Sequence, residues 1–278
     1  MTVSPPSETE AEAETGAEAG TRAWIDPLWW SWGGAHGGHA AAVALSAVRD
    51  RFPGGAHPVR SLTTYFLGPV GTGPLHLLGA APSNGRRAAT CVFTADQDGK
   101  PVLAGSALFG PGRPGPAYDG TRAPAVPGPE DCPVREFVAG QPPFIRQLEM
   151  RPATEARSLG GGEKAELVSW VRFLDGRALD AGAVVTLTDV LPPGLFACWR
   201  TPRPVPSAEL TVHFTDALDA DGPDGDAREG WALVRIRTEQ AGGGWAVDDS
   251  AVWSADGRLL AVGRQARVVQ EPSRASVG

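Results

Sequence analysis

The sequence predicts an α+β fold in which a helix lies along a curved antiparallel sheet, with that unit present twice in tandem. Three observations carry this. Ser61-Leu62-Thr63-Thr64-Tyr65-Phe66 and the later Asp98-Gly99-Lys100-Pro101-Val102-Leu103-Ala104-Gly105 are echoed by Glu209-Leu210-Thr211-Val212-His213-Phe214 and Asp256-Gly257-Arg258-Leu259-Leu260-Ala261-Val262-Gly263. Each half carries one helix-like stretch that a proline stops, and in each half strand-like runs outnumber helical ones. A spacing of roughly 150 residues is far too long for a solenoid repeat and denotes a duplicated small domain.

Residues 1–22 read as a disordered acidic tail, since they lack an apolar run and a basic start. The first unit spans 23–112. Its helix, Gly37 to Phe52, is alanine-rich, apolar on most faces and stopped by Pro53-Gly54-Gly55, which predicts burial. Strands follow at Ser61–Leu67, Gly73–Ala80, Ala88–Ala95 and Pro101–Phe109, with Asp98-Gly99 as the hairpin turn between the last two. Residues 113–145 continue the Gly110-Pro111-Gly112 run as an aperiodic Pro/Gly-rich linker. The second unit, 146–270, repeats the order: a strand at Glu166–Phe173, a helix at Leu179–Leu191 halted by Pro192-Pro193-Gly194, then strands at Ala208–Phe214, Trp231–Gln240, Gly244–Ser254 and Arg258–Val269. Residues 271–278 form a tail.

Composition excludes several classes. With 278 residues, 42% hydrophobic and 21% charged, the chain can bury one large core or two small ones. The 36 glycines and 26 prolines concentrate at the N-terminus, in the middle and around residue 222, so the remainder can pack. Of the net charge of −7, the glutamates at 8, 10, 12, 14 and 18 supply most, and the rest of the chain is nearly neutral. A nucleic-acid partner would demand a basic stripe with aromatic platforms, and a membrane anchor a long apolar run; the expectation is neither. Cys91, Cys132 and Cys198 are odd in number and widely spaced, and His36, His39, His57, His76 and His213 lack ligand spacing. The reading is a reduced, cytoplasmic protein without disulfide, metal or cofactor.

The ordered pieces resemble the double-hotdog acyl-CoA thioesterases of the thioesterase II type. Gly37-Gly38-His39 is similar to that family's Gly-Gly-x helix start, and Leu62-Thr63-Thr64-Tyr65-Phe66-Leu67-Gly68-Pro69 to the strand after it. Thr188-Asp189-Val190-Leu191-Pro192 resembles the Asp-bearing end of the second helix, Pro206-Ser207-Ala208-Glu209 the start of the next strand, and Gly263-Arg264-Gln265-Ala266 the Gln-bearing last strand. The resemblance runs from Trp24 to Val269. It departs at Phe214-Thr215-Asp216, where thioesterase II carries an aromatic-His-Arg-Pro run.

This resemblance implies hydrolysis of an acyl-CoA or acyl-carrier thioester by a water held by Asp189, Ser207 and Gln265, with His39, Gly38 and Trp32 as substrate-binding residues. A positioned water needs a proton acceptor and donors aimed at the carbonyl oxygen. Asp189, near a helix C-terminus among apolar residues, is expected to have a raised pKa, with the oxyanion donor an N–H at a helix start. Superposing the two Asp-Gly turns puts Gln265 opposite Ala107, which implies one working site per chain. Other readings stay open. Taken singly, Asp189 is also a solvent-facing helix end, Ser207 a turn serine, His39 a helix first-turn residue, and Gln265, alternating with Arg264 and Arg267, surface filler. Trp24, Trp29, Trp30 and Trp32 read as core or as an acyl-chain lining. The rival functions are a non-catalytic acyl-thioester-binding hotdog protein and an enoyl-thioester hydratase or dehydratase using His39 or His213. Since fused hotdogs already supply the pairing of a dimer, further homo-oligomerisation is optional.

Overall fold

Eleven antiparallel strands form one continuous sheet in the computed structural model, which describes residues 19–271 apart from Arg86, Ala139 and residues 220–229. The first half comprises β1 (Ala19–Ile25), α1 (Gly37–Arg51), β2 (Val59–Phe66), β3 (Gly73–Asn84), β4 (Ala89–Gln97) and β5 (Lys100–Phe109). The second comprises β6 (Leu148–Pro152), β7 (Glu166–Phe173), α2 (Ala181–Leu187), α3 (Leu195–Cys198), β8 (Ser207–Phe214), β9 (Ala232–Gly242), β10 (Trp245–Ser254) and β11 (Leu259–Val268). The strand order is β1-β3-β4-β5-β2-β8-β11-β10-β9-β7-β6.

The halves meet edge to edge where β2 pairs with β8, and Thr63 stands opposite Thr211 with their hydroxyl oxygens 2.9 Å apart. Leu62 faces Val212 and Thr64 faces Leu210, so the register is its own mirror across that threonine pair. The duplication is thereby visible as a pseudo-twofold. It also fixes the Ala107 comparison: Ala107 pairs with Leu62 as Gln265 pairs with Leu210.

Local chemistry explains the elements. Asp98 and Gly99 both adopt positive φ (52° and 73°), the geometry a two-residue hairpin needs to match strand twist. α1 begins at a histidine cap, His36 Nδ1 accepting from the His39 amide at 3.2 Å, and carries Arg49 and Arg51 in its last turn, where the helix dipole favours cations. Its alanine faces pack closely against α2 and the sheet, and Ala40, Ala41, Ala44, Leu45 and Val48 are buried with Leu62, Leu103, Leu187 and Leu210 in the main core.

Three boundaries correct the sequence expectation. Residues 1–18 of the expected tail lie outside the described residues, as do 272–278 and the Gly/Pro cluster near 222, but Ala19–Arg22 open β1, paired with β3. The helix expected at Leu179–Leu191 is helical only over Ala181–Leu187. There the Thr188 hydroxyl takes the Val185 carbonyl at 2.7 Å, and the Asp189 amide bonds back to Thr186 at 3.2 Å, tightening the chain out of α geometry. α3 then follows the Pro192-Pro193-Gly194 stop as a separate turn.

The Pro/Gly-rich segment after β5 is not a free crossover. It straps the outer face of the second half, where Cys132 joins Val168, Trp170, Leu233, Ala251 and Trp253 in a second apolar cluster. Trp170 Nε1–H donates to the Pro127 carbonyl at 2.8 Å and Trp253 Nε1–H to that of Thr121 at 3.1 Å. Burying indoles is worth roughly 2 kcal/mol or more each, against about 1 kcal/mol per hydrogen bond, so packing holds the strap and the N–H bonds set its register.

Candidate active site

Three sequence-expected residues, Asp189, Ser207 and Gln265, come together on the helix-bearing side of the second half. Gln265 lies on β11, where Gly263, Gln265 and Arg267 alternate inward and Arg264 outward. Ser207 opens β8, whose inward residues are Leu210, Val212 and Phe214; strict alternation would turn Ser207 the other way. A bulge resolves this: Ala266 pairs with Glu209 and Arg267 with Ser207, skipping Ala208 and re-aiming the serine inward. Asp189 is delivered by the tightened turn after α2.

Gln265 Nε2 donates to Asp189 Oδ1 at 2.7 Å and lies 3.0 Å from Ser207 Oγ. Asp189 Oδ2 accepts from the Gly38 amide at 2.9 Å. Gly38 must be glycine here, because a Cβ would stand 2.9 Å from both Asp189 Cβ and the Thr186 carbonyl oxygen. This contact replaces the expected free oxyanion donor: at the start of α1 the Gly38 and His39 amides are both bonded within the protein.

Sequence reasoning missed two members. Arg267, in the sequence only a strand neighbour of Gln265, is 4% exposed, and its guanidinium lies inside the cluster. Nη1 donates to Ser207 Oγ at 3.0 Å, while Nη2 donates to Asp189 Oδ1 at 3.1 Å and Gln265 Oε1 at 2.6 Å. Its Nε is 2.7 Å from Oδ2 of Asp248, a buried carboxylate whose Oδ1 accepts from Thr238 Oγ1 at 2.6 Å. The other is His36: Nδ1 caps α1 and Nε2 lies 3.0 Å from the Asp189 carbonyl oxygen and 3.7 Å from Oδ2. Strand parity was the available signal for Arg267, since it shares its face with Gln265; the cap position was the signal for His36.

Electrostatics reverse one expectation. Burial pushes the Asp189 carboxyl up, but the His36 and Arg267 charges, the Gln265 amide and the Gly38 N–H together outweigh it, leaving the pKa below the ordinary 3.8 rather than raised. Burial holds the His36 imidazole low, with Asp189 opposing and Arg267 reinforcing, so His36 is neutral at neutral pH and Arg267 supplies the permanent part of the field on Asp189. His39 is pushed down to about 4, first by burial and then by His36 and Arg177. Its ring stacks on Trp29 at 4.7 Å, and its buried Nε2 has no hydrogen-bond partner among the described residues. Of the tryptophan cluster only Trp29 is core; Trp24, Trp30 and Trp32 are exposed, Trp32 by 76%. His213 is exposed on β8. Two surface clefts, of about 560 Å³ beside Arg49 and Asp180 and about 540 Å³ beside His76 and Asp96, are lined by none of the Asp189 cluster.

Two family models match the chain: an acyl-CoA thioesterase N-terminal domain over residues 26–110 and an acyl-CoA thioesterase C-terminal domain over 129–269. Among solved structures, a conserved protein of unknown function with hot dog fold from Alicyclobacillus acidocaldarius is 25% identical with TM-score 0.82, the match covering 92% of this chain and 96% of that one. The acyl-CoA thioesterase II TesB2 from Mycobacterium marinum is 25% identical with TM-score 0.66, covering 85% of this chain and 90% of that one. No curated protein matches the sequence. The architecture is the double hotdog.

Proposed function

Because the chain belongs to the acyl-CoA thioesterase family, carrying both its N- and C-terminal domains, we propose that it hydrolyses acyl-CoA thioesters with a water held by Asp189, Ser207 and Gln265. The observation that carries this reading is the convergence of those three side chains, from a turn and two strands, into one hydrogen-bonded cluster.

The water oxygen attacks the thioester carbon, Asp189 takes its proton, and the C–S bond breaks to release the acid and the CoA thiol, which recovers the proton. With its pKa low, Asp189 is fully ionised at neutral pH: it orients the water strongly and accepts the proton late. The Gly38 amide is committed to holding Asp189 rather than to the substrate carbonyl oxygen. No acyl-enzyme forms, so trapping an ester on Ser207 would overturn the scheme. In this reading His39, beside Gly38, and Trp32, exposed on the loop leading into His36, contact the substrate. In the same reading the reaction runs in the cytoplasm, a setting in which the three free cysteines would stay reduced.

Enoyl-thioester hydration finds its His–Asp pair in His36 and Asp189, not in His39 or His213. Both His36 ring nitrogens are engaged, one by the His39 amide and one at the Asp189 carbonyl, which favours hydrolysis.

Free-thiol release from acyl-CoAs of increasing chain length, with wild type beside Asp189→Asn, tests the reading. Turnover lost at least about 100-fold in the variant is expected. Hydration of an enoyl-CoA would transfer the assignment to the second reading, and no turnover of acyl-CoA or acyl-carrier thioesters would leave a binding protein.

A further inference from the structure

We propose that Arg267 is a positioning residue that locks Asp189, Ser207 and Gln265 into one geometry, and that Asp248 moderates its hold on Asp189 by serving as its principal counter-ion. The rate consequence rests on the hydrolytic reading; the electrostatic coupling does not.

One planar group touches all three of Asp189, Ser207 and Gln265. The guanidinium spends Nη1 on Ser207 and Nη2 on Asp189 and Gln265, while Nε faces Asp248. Its donors lie in a rigid fork, so the Nη1 and Nη2 bonds hold Ser207, Asp189 and Gln265 in fixed relative directions, while Asp248, 2.7 Å from Nε but without hydrogen-bond alignment, acts on the guanidinium by charge. Asp248 is itself anchored by Thr238 from β9, giving a polar row across β9, β10, β11 and β8, buried at Asp248, Gln265 and Arg267, that ends at Asp189.

The charge balance gives Asp248 its purpose. Asp189 is faced by His36 and the Gly38 amide from the α1 side, by Gln265 and Arg267 from β11, and by the neutral Ser207 from β8. Arg267 is faced by Asp189 and, from β10, by Asp248, the nearer at 2.7 Å against 3.1 Å. A guanidinium paired with Asp189 alone would leave that carboxylate a poor proton acceptor; sharing the cation with Asp248 restores part of its basicity.

The test compares wild type, Arg267→Lys, Asp248→Asn and the double variant D248N/R267M, which removes the buried pair together so that neither charge is stranded. Two readings are taken: the pH dependence of kcat/KM for acyl-CoA hydrolysis, and the titration of the Asp189 carboxyl carbon by NMR. The double variant is expected to raise both the acid limb and the Asp189 titration by about 1 pH unit. Arg267→Lys, keeping the charge without the fork, is expected to leave the titration in place while kcat falls about tenfold or more. Asp248→Asn is expected to lower the titration and kcat, the latter about tenfold. An Asp189 titration unmoved in the double variant overturns the inference, as does Arg267→Lys with full kcat. Should circular dichroism show the double variant unfolded, Asp248→Asn carries the test by the same two readings. A wild type without hydrolysis but with the expected titration shifts would sink the hydrolytic reading and leave the coupling standing.

Discussion

The Gly38 amide donates to Asp189 Oδ2 at 2.9 Å, joining the first turn of α1 to the turn after α2 across 151 residues of sequence. The bond exists because the helices touch backbone to side chain at this point, a contact closed to any residue with a Cβ. Gly38→Ala therefore has to separate α1 from the Asp189 turn or displace Asp189. The expected cost is about 1–3 kcal/mol, read as a Tm fall of roughly 2–10 °C. Hydrolysis should fall further than that stability loss alone explains, because the displaced atoms belong to Asp189. Gly38→Ala with wild-type Tm and activity would show that the helices are free to shift.

The low pKa of Asp189 sets a pH profile opposite to the one its sequence position implies. A carboxyl depressed on folding contributes stability that is complete above its ordinary value of 3.8 and lost as pH falls through its folded value. The acid limb of kcat/KM, which reports the free enzyme, is expected below about pH 4, with no Asp189-dependent change across about pH 5–8. A limb near pH 6 that vanishes in Asp189→Asn would mean that burial dominates its charged partners.

His39 titrates in the other direction of consequence. Its folded pKa, pushed down to about 4 from 6.5, means the unfolded chain binds a proton first, so stability falls as pH drops below the unfolded value and levels off near the folded one. Between about pH 7 and 4.5 the expected loss from His39 is roughly 2–3 kcal/mol. His39→Phe keeps an aromatic ring against Trp29 and should remove that share of the slope in urea unfolding curves at the two pH values. His36, also depressed by burial, leaves a residual slope.

What was legible in the sequence is what rests on short-range rules. The Asp98-Gly99 hairpin, the alanine-rich α1 and the repeated strand pair follow from turn chemistry, propensity and the duplication itself. β1 escaped because Ala19-Gly20-Thr21-Arg22 has no alternating apolar pattern, although its counterpart β7 stands at the same place before α2 and the duplication required a partner for it. The early end of α2 depends on Thr188 competing for a carbonyl, and the inward turn of Ser207 on a bulge; neither leaves a periodicity to read. Arg267 carries no sequence signal of its role because an arginine's burial depends on its counter-ions, and Asp189 and Asp248 reach it only through tertiary structure.

The strap across the second half offers a test independent of catalysis. Trp253 is fully buried on the outer face and its indole N–H holds the Thr121 carbonyl, next to the exposed Arg122 in a segment without regular structure. Trp253→Phe keeps most of the apolar contact but strands that carbonyl, at a cost of about 1 kcal/mol or more. Since the indole bond sets register rather than global stability, the loss should appear as local opening: tryptic cleavage after Arg122 is expected to accelerate about fivefold or more while Tm falls by only a few degrees. Cleavage that speeds up only in proportion to global unfolding would mean the strap opens with the whole domain, and that the bond to Trp253 has no separate role in holding it down.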